Sequence, residues 1–403
     1  MTSNADSLLA SVLLRGDDDP DPYAGYERLR DAGPVIVGSS GTVVLTSWDH
    51  CTEALRDKRL GKADESLGFR LNPVPEDLQR RAMARFRRTM LFRNAPEHSR
   101  LRRLVADVFT GKHVVDLEPQ IAHIVDRLLD TLEEEGSIDA ISQLALPLPV
   151  AVIGALLGLT PEESAFAAPQ VRALMAPLEP AADAADVLRA AGAEDQLADQ
   201  FHRFLDDRRR RPGDDLLSRL VSARDDDALD DEECVGTAML LFAAGFETTT
   251  NLIGNGLQAL LEHPQAMSTL RAKPRLIDNA IEEMLRFDAP IQTDGRTALE
   301  PTLIGSTTID TGTVVLLLLG AANRDPSRFT RPADFDIERA DTQSVSFGAG
   351  AHYCLGAPLA RLEARVLFPR LLQRFPGLRP DRPATWRPGL TFRGLCSLPV
   401  SIG

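Results

Sequence analysis

One cysteine near the C-terminus closes a glycine-punctuated run, Phe347-Gly348-Ala349-Gly350-Ala351-His352-Tyr353-Cys354-Leu355-Gly356. A helical pattern from Ala357 to Phe375 begins directly behind it. Glycines let the backbone approach a flat group and take dihedrals closed to other residues. A helix start offers unpaired N–H groups and the positive end of the helix dipole, which favour thiolate over thiol. A thiolate so placed can ligate haem iron and push electron density toward oxygen cleavage. The other reading of a solitary cysteine is a small, inert core residue.

Three more groupings put polar chemistry where it is costly. A long apolar helical run is interrupted at Ala244-Gly245-Phe246-Glu247-Thr248-Thr249-Thr250. Burying Glu247 and Thr248 requires partners, and Gly245 costs about 1 kcal/mol of helix propensity relative to Ala. A Thr248 hydroxyl bonded back to the Ala244 carbonyl would open the helix, leaving a groove for dioxygen and water with Glu247 beside it as a proton source. A helix crossing that needs a small residue, with Glu247 in solvent, accounts for the same letters. Glu283 and Arg286 share a helix face, either as a structural pair or as a surface one. His98 and Arg102, four apart, also share a face. They suit a carboxylate or phosphate, or form a basic solvated face.

The chain that positions these groups has 403 residues, 43% of them hydrophobic, enough for a large core in one domain or two. A formal net charge of -14 disfavours nonspecific nucleic-acid binding. The four cysteines (Cys51, Cys234, Cys354, Cys396) show no C-x-x-C spacing. That argues against a zinc ribbon or disulfide framework and fits a reducing compartment. The apolar run Leu8 to Leu14 lacks a basic flank and precedes the acidic Asp17 to Asp19. Neither signal peptide nor membrane anchor is expected, and a soluble cytoplasmic protein is.

Val35–Val37 and Thr42–Leu45 read as a hairpin, and Trp48–Arg56 as a helix. Arg59–Ala95 reads as a long loop carrying a short helix. Helical patterns then run from Pro96 to Phe287, with a helix start at Pro161 and a break after Arg208–Arg211. Glu232–His263 should cross the core. The chain turns β-rich after Pro290 and ends in strands between Leu390 and Ile402. These patterns predict a mainly α chain with small β regions at each end.

In this order the four groupings resemble a bacterial, actinobacterial-type cytochrome P450, a haem-thiolate monooxygenase, over essentially the whole chain. The family's cysteine loop, Phe-Gly-x-Gly-x-His/Arg-x-Cys-x-Gly, is matched by Phe347 to Gly356, and its central-helix signature by Ala244 to Thr249. Its Glu-x-x-Arg pair is matched by Glu283 and Arg286, and its His-x-x-x-Arg pair by His98 and Arg102. The resemblance implies the P450 fold in a single domain over 1–403, a multi-helical prism with a long central helix over haem b (iron protoporphyrin IX). Cys354 would be the axial ligand to the iron, shielded by Phe347, with Gly348 and Gly356 beside the ring. His98, Arg102, Arg296 and His352 would hold the propionates. Glu247 and Thr248, with Ala244, would deliver protons. Glu283, Arg286 and Arg339 would form a structural triad.

The implied reaction places one atom of O2 in a small organic substrate by hydroxylation or epoxidation, in secondary-metabolite biosynthesis. No Gly-x-Gly-x-x-Gly fingerprint follows a strand. Electrons would therefore come from NAD(P)H through an external ferredoxin and ferredoxin reductase. Arg100, Arg103, Arg361 and Arg365 would offer the docking patch. By resemblance the substrate pocket is lined by Met90, Leu91, Phe92, Leu174, Met175, Leu240, Ala243, Ile291, Gln292, Thr391 and Phe392. Arg80, Arg81, Arg85, Arg87, Arg88 and Arg93 crowd the loop that would roof it. They fit an anionic substrate, one riding on an acyl or peptidyl carrier protein, or a solvated basic face. A peroxide-using haem-thiolate enzyme and a haem-thiolate gas sensor are the alternatives, and both have less use for Glu247-Thr248. Neither nucleic acid nor membrane is expected as a partner.

Overall fold

A capping box starts the longest helix, Asp231–Glu262. The Asp230 carboxylate accepts the Glu233 N–H at 2.7 Å, and Glu233 accepts the Asp230 N–H at 3.2 Å. Three acidic residues in the first turn complement the dipole. Apolar residues then occupy nearly every face, so the helix is buried through its middle. It crosses the helix Pro147–Leu157 at Gly245, where a Cβ would lie 2.5 Å from Ile153 Cγ1. The expectation of a small residue at a crossing is therefore met. Glu247 is nevertheless buried and does not face solvent. The computed structural model describes residues 4–13, 21–62, 74–225 and 228–403. The acidic Asp17 to Asp19, and residues 63–73 of the roof loop, lie outside the described residues.

The β regions of the two halves join into one sheet. Its spatial order is Val35–Val37, Val43–Leu45, Val314–Leu318, Thr293–Ala298, Leu60–Gly61. Val314–Leu318 lies in the middle and reads as a continuous apolar run, as a strand covered on both faces must. It pairs in parallel with the N-terminal strand (Val43 opposite Val315) and antiparallel with Thr293–Ala298 (Arg296 opposite Val315). Ser137–Asp139, inside the stretch expected to be helical, is a strand. It pairs with the C-terminal Pro399–Ser401, whose partners lie too far along the chain for a local pattern to reveal.

The helix Ile277–Phe287 packs on Ala357–Arg374, the helix that follows the cysteine loop. Glu283 on it is fully buried and holds Arg286 (2.7 and 2.8 Å) and Arg339 (3.1 Å). Arg286 also donates to the carbonyls of Asn323, Pro332 and Asp334, and Arg339 to those of Thr330, Arg331 and Asp334. Every charge has its partners, the condition under which a buried ionic cluster is tolerated. Asn323 carries the order onward. Its Oδ1 accepts the Val345 N–H at 2.8 Å, and its Nδ2 donates to Ser346 Oγ at 2.8 Å, at the entrance to the cysteine loop.

Candidate active site

Cys354 and the central helix face each other across a cavity of about 390 Å³. The floor is the cysteine loop: Phe347, Gly348, His352, Tyr353, Cys354, Leu355 and Gly356. The Cys354 N–H donates to the Phe347 carbonyl at 2.9 Å, closing the loop on itself. Arg361 stacks on the Phe347 ring at 4.4 Å. Gly350 has φ +69°, and a Cβ there would lie 2.4 Å from the Leu55 carbonyl oxygen. Gly350→Ala is therefore expected to cost at least about 1–2 kcal/mol from the left-handed backbone alone, measured by urea unfolding. A loss below 0.5 kcal/mol would contradict this geometry. Gly356 has an ordinary φ of -81°, and nothing lies within 4 Å of where its Cβ would be. A side chain there would extend into the open space beside Cys354.

Burial pushes the Cys354 thiol above its ordinary value. The N–H groups of Gly356 and Ala357 and the guanidinia of Arg102 and Arg361 pull the other way. A coordinated metal removes the thiol proton outright.

The opposite wall is the central helix, where Leu240, Ala243, Ala244, Gly245, Glu247, Thr248 and Thr249 line the cavity. The Thr248 hydroxyl donates to the Ala244 carbonyl at 3.3 Å, and Thr249 to Gly245 at 3.3 Å. The helix stays α-helical through these bonds, contrary to the expected local opening. The groove lies instead over the small side chain of Ala244, the one exposed position in this stretch, next to the half-buried Gly245 and one turn before the half-buried Thr248. Glu247 is ion-paired with Arg387, whose side chain is 8% exposed. Glu247 Oε2, Thr250 Oγ1, both amide atoms of Asn251, and Arg387 Nε and Nη2 are buried without a protein partner. Polar groups in that situation are served by ordered water.

One edge of the cavity is cationic. The His98 and His352 rings are 4.3 Å apart. Arg102 donates to the Tyr353 carbonyl at 2.8 Å. Lys62 Nζ bonds Asp294 at 2.5 Å and the Gly295 carbonyl at 2.8 Å. Arg296 sits behind this wall, 2.7 Å from the same Asp294. Burial, helped by Arg296, Lys62 and His98, presses His352 down to about 3. Burial and Arg296 together lower Lys62 to about 8, against Asp294. Lys62 and Arg296 thus share the Asp294 carboxylate, with Arg102, His98 and His352 beside them.

The family model "Cytochrome P450" matches residues 189–383. The cytochrome P450 monooxygenase PikC of Streptomyces venezuelae is 38% identical, over 99% of this chain and 95% of the relative. The chain belongs to the cytochrome P450 family. The biotin biosynthesis cytochrome P450 of Bacillus subtilis is likewise 38% identical over 99% of both chains. The solved structure of P450BioI, in complex with an acyl carrier protein ligated with hexadec-9Z-enoic acid, superposes with a TM-score of 0.88 at 35% identity. That match covers 95% of this chain and 99% of that one. The protein has the P450 fold and is an oxidoreductase, a cytochrome P450 monooxygenase. Family membership implies haem and a need for redox partners. No single helix among the described residues is long and apolar enough to cross a membrane.

The residues present fit the P450 cofactor. The cationic edge lacks the negative charge that two propionates would bring, a sulfur stands on the floor, and Gly356 leaves space beside it. Lys62 and Asp294 were not read from the sequence, because Lys62 meets Asp294 only through the pairing of Leu60–Gly61 with Thr293–Ala298.

Two expected wall residues of this P450 are elsewhere. Leu174 is fully buried off the cavity, one residue and so about 100° around the helix from the lining Met175. Gln292 alternates with the lining Ile291 and points away, donating to Tyr23 Oη at 3.3 Å and the Ala289 carbonyl at 2.8 Å. Met90, Leu91, Phe92, Met175, Leu240, Ala243, Ile291, Thr391 and Phe392 are on the wall.

Among the described residues, three of the six roof arginines have acidic partners. Arg81 and Arg85 face Asp195, Arg85 also bonds Glu232 at 2.8 Å, Arg88 pairs with Asp230, and Arg87 donates to the Gln79 carbonyl. The expected docking patch shrinks as well. Arg100 turns away to Glu233 and the Ala228 carbonyl, while Arg361 and Arg365 pair with Glu282 and Asp278.

Proposed function

We propose that this monooxygenase places one oxygen atom in an apolar organic substrate, by hydroxylation or epoxidation, within secondary-metabolite biosynthesis. The single observation that carries the proposal is the apposition of Cys354 with the Ala244–Thr248 groove across one cavity whose cations all lie at one edge. Haem b, when bound, supplies the oxygen-activating redox chemistry. The chain does the rest. Cys354 would hold the iron through its sulfur, with Phe347 and Arg361 covering that sulfur. His98, Arg102, Arg296 and His352, with Lys62, would hold the propionates. Thr248 Oγ1 and Glu247 hold and pass protons toward the groove. The distal walls, Met90 to Phe92, Met175, Leu240, Ile291 and Phe392, orient an apolar molecule and exclude water.

Electrons would come from NAD(P)H by way of a ferredoxin and its reductase. The four free cysteines support a cytoplasmic location. The assay is substrate-dependent NAD(P)H consumption with surrogate partners, with mass analysis for a gain of one oxygen. Thr248→Ala is expected to keep full haem content. Product per NAD(P)H consumed should fall about tenfold or more, with hydrogen peroxide accumulating instead. Full coupling in that variant would remove Thr248 from the proton path.

The carrier-bound reading of the substrate now rests on the relatives rather than on the arginines. P450BioI was solved with an acyl carrier protein, and Arg81, Arg85 and Arg88 here face acids of their own chain. A titration of free hexadec-9Z-enoic acid against its carrier-protein conjugate, read by the spin-state change, separates the two forms. Equal affinities would exclude the carrier.

A further inference from the structure

The turn that carries Thr391 and Phe392 into the cavity is held by three carboxylates from three places in the chain. Arg387 pairs with Glu247 of the central helix, and Arg393 with Asp288, just beyond the helix Ile277–Phe287. The third carboxylate is Glu179. Its Oε2 accepts the N–H groups of Leu390 and Thr391, both at 2.8 Å, and its Oε1 accepts that of Phe392 at 2.9 Å. Three successive backbone N–H groups on one carboxylate form a concavity built for an anion, and each bond is charge-assisted. The fit needs Gly389, whose φ is +119° and whose Cβ would lie 2.8 Å from the Glu179 carboxyl carbon. Alongside, Thr391 Oγ1 donates to the Leu178 carbonyl at 3.0 Å.

Glu179 sits in the short connection between the helices Pro161–Met175 and Ala184–Arg210. Leu178 and Pro180, on either side of it, line the cavity. The first two ties fix the turn to buried core elements. The third fixes this connection to the turn, joining two cavity walls that belong to different parts of the chain.

We propose that Glu179 is a positioning residue for the substrate. It locks the connection onto the turn and sets how far the two walls part when a molecule enters or leaves. The proposal rests on the cavity being the substrate site, as inferred above. A ligand that fills the space against Phe392 cannot leave without stretching the Glu179 bonds, whereas a small one can. Glu179 therefore governs exchange of large ligands and leaves small ones untouched.

The test uses the full-length, haem-loaded protein and two iron-ligating probes, imidazole and the bulky azole clotrimazole, followed by the Soret shift. Imidazole affinity should stay within about twofold of wild type in Glu179→Ala and Glu179→Gln. Clotrimazole release should accelerate about tenfold or more in Glu179→Ala. Glu179→Gln should fall between, because its amide keeps one carbonyl oxygen as acceptor. Hydrogen exchange at the Leu390, Thr391 and Phe392 amides should rise at least about tenfold in Glu179→Ala, with the central helix unchanged.

Clotrimazole release within about twofold of wild type would overturn the proposal. So would faster release with those three amides as protected as before. A wild-type protein without any Soret response to imidazole would instead mark failure of the haem assignment.

Discussion

Reduced Cys354→Ala protein under carbon monoxide is expected to lose entirely the strongly red-shifted Soret band that a thiolate trans to CO produces. The geometry allows no substitute thiolate. Cys51 and Cys234 are buried away from the cavity, and Cys396 lies exposed on the strand Leu395–Ser397. Cys354 alone of the four lines the wall that faces the Ala244–Thr248 groove. Cys396→Ala should accordingly keep the band at full height. The comparison separates ligation from a general effect of removing a thiol. Retention of the band in Cys354→Ala, or its loss in Cys396→Ala, would refute the assignment. Haem content measured in parallel should fall in Cys354→Ala, since the propionate contacts alone would remain to hold the ring.

Glu283→Ala is expected to destabilise the protein by about 3–5 kcal/mol, enough to remove most of the soluble, folded yield. The side chain is fully buried, and its removal leaves two buried guanidinia, Arg286 and Arg339, without their anion. The Asp336 N–H loses its acceptor as well. A matched control is the half-exposed pair of Lys273 and Glu338, 2.9 Å apart, where Lys273→Ala should cost only about 0.2–1 kcal/mol. Equal effects of the two substitutions in urea unfolding would show that burial does not set the scale here. Glu283→Ala should also disturb the cysteine loop, because Arg286 holds the carbonyl of Asn323, which in turn holds Val345 and Ser346.

The parts of this architecture legible from the letters are those whose determinants are close together in the chain. The cysteine loop, the polar interruption of the central helix and the capped helix starts are each written within a few residues. The Glu283–Arg286 pair was equally visible, but its burial was not, because the carbonyls that surround it come from residues 323–334. Lys62 and Glu179 escaped for the same reason. Each is an ordinary surface-type residue until a strand or turn far along the chain is brought against it. Leu174 and Gln292 show a different limit. Both lie in the right segments, and only the phase of the helix or strand, off by one residue, turns them away from the cavity. The basic roof shows a third. A run of arginines advertises charge, but the acids that neutralise it stand on other helices.

A nascent chain emerging from the ribosome cannot finish its five-stranded sheet until residue 318 is free, because Val43–Leu45 waits for the parallel strand Val314–Leu318. The strand bearing Arg296 gains its second neighbour only with that closure, and Cys354 follows later still. Chains truncated before residue 354 should be colourless.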